Sequence, residues 1–453
     1  MESIVVYDID EKPPPGEAIP LGIQHVLSMF LGNVAPPLII AGALGLATDE
    51  TTFLVQMALM IAGVATIVQA FPIGSIGAKV PIVMGTSFAF LDPLIGIGSE
   101  YGLAVVFGVC LAAAPVEGII GYFLDPIRPY FPPLVSGVVV MLIGLSLIPV
   151  GMDYAAGGVG AEYYGSFTNL GMAGLVFFIT IILNQFFDGF FRIASVLIGI
   201  VVGYIIAIPL GMIDFSAVSE VGWITIPIPL KFGMEFNLGA FITVAFIYVI
   251  TAMETIGDIS GTVAATGRDA HSSELRGGLL ADSAASGLAA IFNAFPNTSY
   301  SQNVGLVNFT GVASRYVAGI GGVVLLVLGL FPKIGALVSV MPDAVLGGGA
   351  LVLFALILGS GMRLIAENVQ LNHRNITIIS VAVALGLAVD LRGDALQNLP
   401  EDLQIFFGSA LIMGGFAVLI MNTLIPGGGV GTGPHDYSDG LPPHLRPESP
   451  DHN

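Results

Sequence analysis

The sequence has few charged residues and only one cysteine. Charged residues make up 10% of its 453 positions, whereas a soluble domain carries about 25%. This shortage excludes a globular domain surrounded by water. Because Cys110 has no second cysteine to pair with, an intramolecular disulfide and a metal site built from several thiolates are excluded as well.

Basic residues are scarcer than acidic ones. The chain has 13 Lys and Arg residues against 32 Asp and Glu residues, and its formal net charge is −19. The acids concentrate in loops and in the two terminal tails, and an acidic surface of this kind predicts a salt-loving host. The alternative is that the tails are simply acidic and say nothing about the host. The N-terminal stretch EKPPPGEAIP lacks the basic segment of a cleaved signal peptide, so we expect none to be removed.

Long apolar runs fill the rest of the chain. Hydrophobic residues account for 55% of it, and the mean hydropathy is +0.91. Since a helix needs about 20 apolar residues to cross a bilayer, these runs predict an all-α membrane protein with fourteen transmembrane segments. The predicted segments are 20–42, 53–71, 81–98, 103–123, 133–150, 168–187, 194–212, 238–258, 276–293, 298–315, 316–332, 342–360, 374–391 and 403–424.

The basic residues predict the orientation of these segments. If the N-terminus is cytoplasmic, ten of the 13 basic residues fall on the cytoplasmic side. Only Lys231, Lys333 and Arg392 fall outside. Because short cytoplasmic loops are enriched in Lys and Arg, we expect both termini to lie in the cytoplasm of a cell that carries this protein in its membrane.

The two halves of the chain echo each other. Five residues recur at a constant offset of 210 positions: Pro132, Val135, Gly137, Gly151 and Met152 correspond to Pro342, Val345, Gly347, Gly361 and Met362. A second echo, at an offset of 212, relates GTSFAF at 85–90 to NTSYSQ at 297–302. The echoes connect segments five and twelve, and three and ten, so they predict two seven-segment repeats of inverted topology. Such repeats are typical of secondary transporters.

The echoed stretches 85–90 and 297–302 are polar although apolar segments flank them. Irregular polar backbone is tolerated at membrane depth only where protein or a water-filled cavity surrounds it. We therefore predict short β-like breaks in segments three and ten. Each break should lead into a half-helix whose N-terminal N–H groups face a binding cavity.

Polar side chains near these breaks are the candidates for chemistry. Glu254 and Asp258 are four residues apart, so they share one face of a helix, and carboxylates inside a membrane are functional candidates; solvation at the end of the segment is the alternative. Gln302 and Asn303 carry amides that suit a flat heterocycle with C=O and N–H edges; a bridge between helices is the alternative.

Five further residues have weaker signals. Phe88 could stack on a ring or only pack against its neighbours. Asp282 is a third buried acid that could order the core, and His25 could serve as a proton relay or as a link between helices. Asp92 and Glu117 also fall within predicted segments, although each could reach an interface.

The stretch QNVGLVNFTG resembles the signature of the nucleobase–ascorbate transporter family. Its signature positions are Gln302, Asn303, Gly305, Thr310 and Gly311. IQHVL, GTSFAF, METIGD and LLADS extend the resemblance, which covers about residues 19–425. It implies fourteen segments in two inverted repeats, divided into a core and a gate domain that shift in an elevator-like motion, often within a homodimer.

The resemblance also implies domain boundaries. Segments one to four and eight to eleven would form the core, and the others would form the gate. The expected divisions are an acidic cytoplasmic tail at 1–18, the core at 19–130 and 236–332, the gate at 131–235 and 333–425, and a disordered acidic tail at 426–453.

By the same resemblance, six residues would contact a nucleobase: Glu254, Gln302, Phe88, Ser87, Tyr300 and Ser301. The glutamate would bind ring N–H groups, the glutamine would bind the other edge, and Phe88 would stack on the ring with Ser87 beside it. The other two would contribute backbone groups.

Four more residues would support transport. Asp258 and Asp282 match positions that the family needs for ion coupling or architecture. His25 matches a histidine used in affinity and helix linkage, and Asn303 would hold the shape of the signature.

The resemblance narrows the substrate and the ion. Uracil-type members tend to carry Glu and His where this chain has Gln302 and Asp258, whereas xanthine- and urate-type members carry the residues found here; ascorbate members carry Pro at the first position. We therefore expect a symporter for xanthine or urate, driven by protons or else by sodium. It would be a transporter and no enzyme, without cofactor, bound metal or nucleic acid. A uracil permease or an anion exchanger is the alternative. An anion exchanger would need a cation near the half-helix of segment ten, and the nearest one, Arg315, lies thirteen residues past Gln302.

Overall fold

The computed structural model describes residues 5–127 and 130–426, and most of them are helical. The elements before residue 221 are α1 Pro15–Ala43, α2 Thr48–Ala70, β1 Met84–Thr86, a 3-10 helix Phe88–Phe90, α3 Leu91–Tyr101, α4 Leu103–Ala113, α5 Pro115–Tyr122, α6 Leu124–Ile127, α7 Pro133–Ala155, α8 Phe167–Phe186, α9 Phe190–Ile193, α10 Ser195–Ala207 and α11 Ser216–Glu220.

The second half has a similar succession of elements. They are α12 Leu238–Ala264, α13 Ser272–Ile291, β2 Asn297–Ser299, α14 Ser301–Thr310, α15 Arg315–Gly329, α16 Pro332–Ser339, α17 Asp343–Asn368, α18 His373–Leu391, a 3-10 helix Gly393–Leu396, α19 Glu401–Gly408 and α20 Ala410–Leu424.

Within the described residues, eight helices are long and apolar enough to cross a membrane. Two bent pairs raise the number to ten: α15 with α16 at 81°, and α19 with α20 at 67°. All ten coincide with predicted segments, one of which joins α4 and α5 across the break at Pro115. A multi-pass helical membrane protein is therefore confirmed, and the count of fourteen stays a prediction.

The four other predicted segments are not among these ten candidate spans. Segments three and ten each consist of a strand and a short helix. Segment seven, expected over 194–212, is helical only over Ser195–Ala207 because Pro209 disfavours helical backbone at the residue before it. Segment nine corresponds to α13, which carries Glu274, Arg276 and Asp282.

The strands occur where β-like breaks were predicted, although they are shorter than the echoed stretches. β1 and β2 pair antiparallel, with Met84 opposite Ser299 and Thr86 opposite Asn297. The Ser87 N–H donates to the Pro296 carbonyl at 2.8 Å, and the Tyr300 N–H donates to the Val83 carbonyl at 3.1 Å. The backbone N–H and C=O groups of the two breaks therefore hydrogen-bond each other, as buried irregular backbone requires.

The helix that carries both acids is longer than predicted. It was expected to end near residue 258, but α12 continues to Ala264. Its start is capped by Asn237, whose Oδ1 accepts from the Ala240 N–H at 2.9 Å. Glu254 and Asp258 consequently lie inside the helix, and the proposed alternative of solvation at its end does not apply to Asp258, which is only 7% exposed.

Close helix contacts depend on glycines. α7 packs against α17 along its length, and a Cβ at Gly144 would lie 2.6 Å from the Leu358 nitrogen and 2.8 Å from the Phe354 oxygen. These are backbone atoms, so a side chain there would force the helices apart.

We expect Gly144→Ala to lower the free energy of unfolding by about 1–3 kcal/mol, the usual cost of overpacking a core. Thermal denaturation of the detergent-purified protein measures this. Gly174→Ala on α8 is the matched control because the added methyl group would have no atom within 4 Å. Equal melting temperatures for the two variants would contradict the packing interpretation.

The N-terminal segment is packed against the chain that follows α14. The Val6 N–H donates to the Gly311 carbonyl at 2.8 Å, and the Ala313 N–H donates to the Tyr7 carbonyl at 2.8 Å. Helix α1 begins at Pro15, inside the range assigned to the tail. The predicted disordered tail lies outside the described residues from position 427 onward.

Candidate substrate site

A cavity lies where the paired strands meet the starts of the short helices. The space between these elements, open solvent included, is about 360 Å³. The lining residues come from both halves of the chain: Thr86, Phe88, Ile143, Glu254, Thr298, Ser299, Tyr300, Ser301, Gln302 and Ile357. Five of the six predicted contact residues therefore surround one cavity.

Glu254 and Gln302 bring complementary polar groups to this cavity. The only hydrogen bond of the Glu254 side chain within the described chain is a long one, 3.4 Å from Thr298 Oγ1 to Oε2. No described group hydrogen-bonds the Gln302 amide. An acceptor and a donor–acceptor pair are thus left available for a ligand.

Phe88, Tyr300 and Ser301 all line the cavity, but their side chains have different partners. Phe88 lines the cavity and makes an edge-to-face contact with Phe354, with ring centroids 5.4 Å apart. Tyr300 also lines it, but its hydroxyl donates to the Thr86 carbonyl at 2.7 Å. Ser301 opens α14, so its N–H lies at the positive end of that helix.

Ser87 is the predicted contact residue that does not line the cavity. It is 2% exposed, and its Oγ accepts from the Ala89 N–H at 3.3 Å. The serine thus caps the 3-10 helix that holds Phe88. Its hydroxyl is therefore used within the protein, and a contact of Ser87 with the substrate stays a prediction.

Asp258 is held by the residues on either side of Tyr300. Ser299 Oγ and Ser301 Oγ each donate to one of its carboxylate oxygens, both at 2.7 Å. These bonds connect α12 to the end of β2 and the start of α14. Asp258 therefore fixes the backbone of the cavity without lining it.

Asp282 is connected to the same network through a threonine. It is fully buried on α13, and its Oδ2 accepts a hydrogen bond from Thr255 Oγ1. Ser299 Oγ lies 3.5 Å from the same threonine oxygen. Within the described chain, Asp282 is thus connected to the cavity through Thr255 and Ser299 and does not line it. Its role in coupling or architecture stays a prediction.

His25 and Asn303 contact each other. Asn303 Nδ2 lies 3.0 Å from His25 Nδ1 and donates to the His25 carbonyl at 3.1 Å. Since the amide nitrogen can only donate, we assign the proton of the neutral imidazole to Nε2. The pair connects α1 to α14, so the helix-linking interpretation fits the geometry.

Several residues of the site carried no recognised signal in the sequence. Asn33 Oδ1 accepts from the N–H of Thr86 at 2.8 Å and from its hydroxyl at 3.1 Å, which anchors β1 to α1. Thr298 contacts Glu254. Both threonines lie within the echoed stretches, so the repeated Thr-Ser pairs were the signal that could have identified them.

Metal coordination has no support within residues 5–127 and 130–426. No group of three or more His, Cys, Asp and Glu side chains is arranged to hold a metal ion there. Two of the buried acids, Asp258 and Asp282, are hydrogen-bonded to hydroxyl groups.

The fold is similar to that of known transporters. The transmembrane domain of the bicarbonate transporter BicA from a cyanobacterium matches with a TM-score of 0.57 over 90% of this chain and 98% of that one. The two sequences are 14% identical, so the likeness concerns the fold alone.

Sequence comparisons identify the family. A family model described as Permease family, Xan_ur_permease, matches residues 16–392. A putative purine permease of Clostridium perfringens is 38% identical over 93% of this chain and 93% of its own length. The xanthine permease of Bacillus subtilis is 36% identical over 90% of this chain and 93% of its own. The chain therefore belongs to the xanthine/uracil permease family, the nucleobase–ascorbate transporter family that its signature motif predicted.

Proposed function

We propose that this protein imports an oxidised purine, xanthine or urate, together with a proton. The observation that carries the proposal is the cavity in which Glu254 and Gln302 present polar groups with few partners inside the protein. An oxidised purine offers N–H groups for the carboxylate and a C=O and N–H edge for the amide. Phe88 adds an aromatic surface, and the membership of the family supports a nucleobase as the substrate.

The division of the lining residues supports an elevator-like mechanism. All polar lining residues belong to the ranges assigned to the core, 19–130 and 236–332. The ranges assigned to the gate contribute only Ile143 and Ile357. A substrate held by one domain against an apolar surface of the other can move with the first domain without breaking polar contacts to the second.

Helix pairing supports the proposed inverted repeats and their fourteen segments. α2 packs against α15, and α13, the counterpart of α2 in the second repeat, packs against α4 and α5, the counterparts of α15. The echoed stretches pair with each other as antiparallel strands. The proposed protein is a homodimer in the cell membrane, and both termini of each chain lie in the cytoplasm.

Coupling to protons is proposed over coupling to sodium. Asp258 accepts hydrogen bonds from two serine hydroxyls, and the described chain has no group of three or more His, Cys, Asp and Glu side chains that could hold a metal ion. Uptake into proteoliposomes at fixed pH, with and without sodium, distinguishes the ions. Uptake that is stimulated by sodium and does not respond to pH would contradict coupling to protons.

An anion exchanger would need a free cation at the site, and Arg315 does not supply one. Its Nε donates to Asp10 Oδ1 at 2.7 Å, which lowers the pKa of Asp10. Its guanidinium also lies over the ring of Phe71. Neither Arg315 nor any other Lys or Arg of the described chain lines the cavity.

Substrate choice tests the proposal directly. We expect unlabelled xanthine or urate, but not uracil, to compete with labelled xanthine for uptake. Gln302→Glu should lower xanthine uptake about tenfold or more, because a carboxylate in place of the amide loses its hydrogen-bond donors.

The same substitution is expected to improve competition by uracil. Asn308→Asp, an exposed position on the same helix, is the matched control. Unchanged purine uptake by Gln302→Glu would contradict the assigned pocket, and preference of the parent protein for uracil would favour the uracil permease.

A further inference from the structure

Glu117 is a buried acid that the site described above does not use. It lies on α5, within the apolar segment Leu103–Tyr122. Its side chain is 0% exposed, and neither carboxyl oxygen has a hydrogen-bond partner among the described residues. None of the ion pairs in the described chain includes it. An ionised carboxylate without partners in such a place costs several kcal/mol, so the group holds a proton in this conformation.

The neighbours of Glu117 are other ionisable groups of the transport machinery. α5 packs against α13, which carries Asp282, and against α12, which carries Glu254. A Cβ at Gly118, the residue after Glu117, would lie 2.8 Å from Oγ of Ser283, the residue after Asp282. The third titratable neighbour is Tyr248 on α12, whose hydroxyl donates to the Cys110 carbonyl at 3.4 Å. Asp282 also has one oxygen, Oδ1, that is buried and without a partner.

The acids of α12 and α13 are linked to the substrate cavity. Glu254 faces the cavity, and Asp282 is connected to Asp258 through the hydroxyls of Thr255 and Ser299. Buried carboxyl groups on helices that pack together repel one another when ionised, so a proton bound by one changes the proton affinity of the others. Glu117 is the member with no hydrogen bond to fix its charge state.

We propose that Glu117 is a second proton-binding residue of the transport cycle. It binds a proton when the acids of α12 and α13 are packed against α5, as they are here. It releases that proton when the core helices rearrange or when Asp282 takes up a proton of its own. One proton is taken up and one is released in each cycle, and no other bond is made or broken. This inference deepens the proposed function and rests on it for the coupling.

Infrared difference spectroscopy of the reconstituted protein tests the proton itself. A protonated carboxyl group without hydrogen bonds gives a high-frequency carbonyl band that shifts in D₂O. We expect the parent protein to show such a band, to lose it as the pH is raised, and to lack it in Glu117→Gln. Glu254→Gln should keep it. An identical band in the parent protein and in Glu117→Gln would overturn the inference.

Transport assays test the coupling. Glu117→Gln should lower accumulation driven by an inward proton gradient about tenfold, a usual size for coupling between sites, and should affect xanthine exchange across the membrane much less. Glu117→Asp, which keeps a titratable group, should recover part of the loss. Glu367→Gln, at an exposed position on α17, is the matched control.

The results separate this inference from the proposed function. Gradient-driven accumulation by Glu117→Gln at the level of the parent protein would overturn the role in coupling. If the parent protein accumulates no nucleobase at all, the proposed function is wrong, and the infrared band still decides whether Glu117 binds a titratable proton.

Discussion

Replacing Glu254 with glutamine should abolish xanthine uptake while the protein stays folded in the membrane. The glutamate offers two acceptor oxygens to ring N–H groups, and hydrogen bonds to a charged group contribute about 1.5–3 kcal/mol each. The amide of glutamine keeps one acceptor and turns an N–H group toward the donors of the substrate. The loss of one charged hydrogen bond, together with an N–H group that faces a substrate N–H, predicts a decrease in uptake of about 100-fold or more.

The local structure should survive this substitution. The carbonyl of the new amide can still accept from Thr298 Oγ1, which is the single hydrogen bond of Glu254 in the described chain. Glu367→Gln serves as the control, because that side chain is 65% exposed and its pairing with Arg363 lies on the helix surface. Uptake by Glu254→Gln above about one tenth of the parent level would contradict the assigned role.

Asp258→Asn should also reduce uptake strongly, but for a different reason. Its carboxylate receives hydrogen bonds from Ser299 and Ser301, so it holds the end of β2 and the start of α14 in place. Asparagine can accept only one of them, and its amide N–H₂ would face the other hydroxyl. The loss of one charged hydrogen bond predicts a decrease of about 10- to 100-fold in uptake.

Ser301→Ala separates the charge of Asp258 from its hydrogen bonds. This variant removes one donor and keeps the ionisable acid. If the acid couples transport to protons, Ser301→Ala should keep the response of uptake to pH, and Asp258→Asn should lose it. A response to pH in Asp258→Asn equal to that of the parent protein would assign the coupling to another group.

The breaks in the helices could be predicted because they depend on local sequence. GTSFAF and NTSYSQ are polar stretches in apolar surroundings, and such backbone must be buried in protein. Their similarity indicated that they belong together, and they do pair as strands. The signature around Gln302 then indicated which residues would face the space between them.

The hydrogen-bond partners of the acids could not be predicted, because they depend on register. Asp258 meets Ser299 and Ser301, more than 40 positions away, only because β2 is paired with β1 in one register. A shift by one residue would turn these side chains to the opposite face. The sequence therefore indicated Asp258 as a functional acid but did not indicate which side chains donate hydrogen bonds to it.

Packing between helices also decided two features that the sequence left open. α12 passes through Ser260 and Gly261, which are weak helix formers, because its far end is buried against other helices. Glu117 could have reached an interface, and only the packing of α5 against α13 and α12 buries it completely. Neither the burial of the end of α12 nor the burial of Glu117 can be recognised from a short stretch of sequence.

An experimental structure with xanthine bound tests the central claim most directly. We expect the purine ring between the start of α14 and the 3-10 helix at Phe88–Phe90, with Glu254 on its N–H groups and the Gln302 amide on the other edge. A purine bound elsewhere, for example in the apolar groove between Phe30, Ile200 and Met341, would contradict the assignment of this cavity as the transport site.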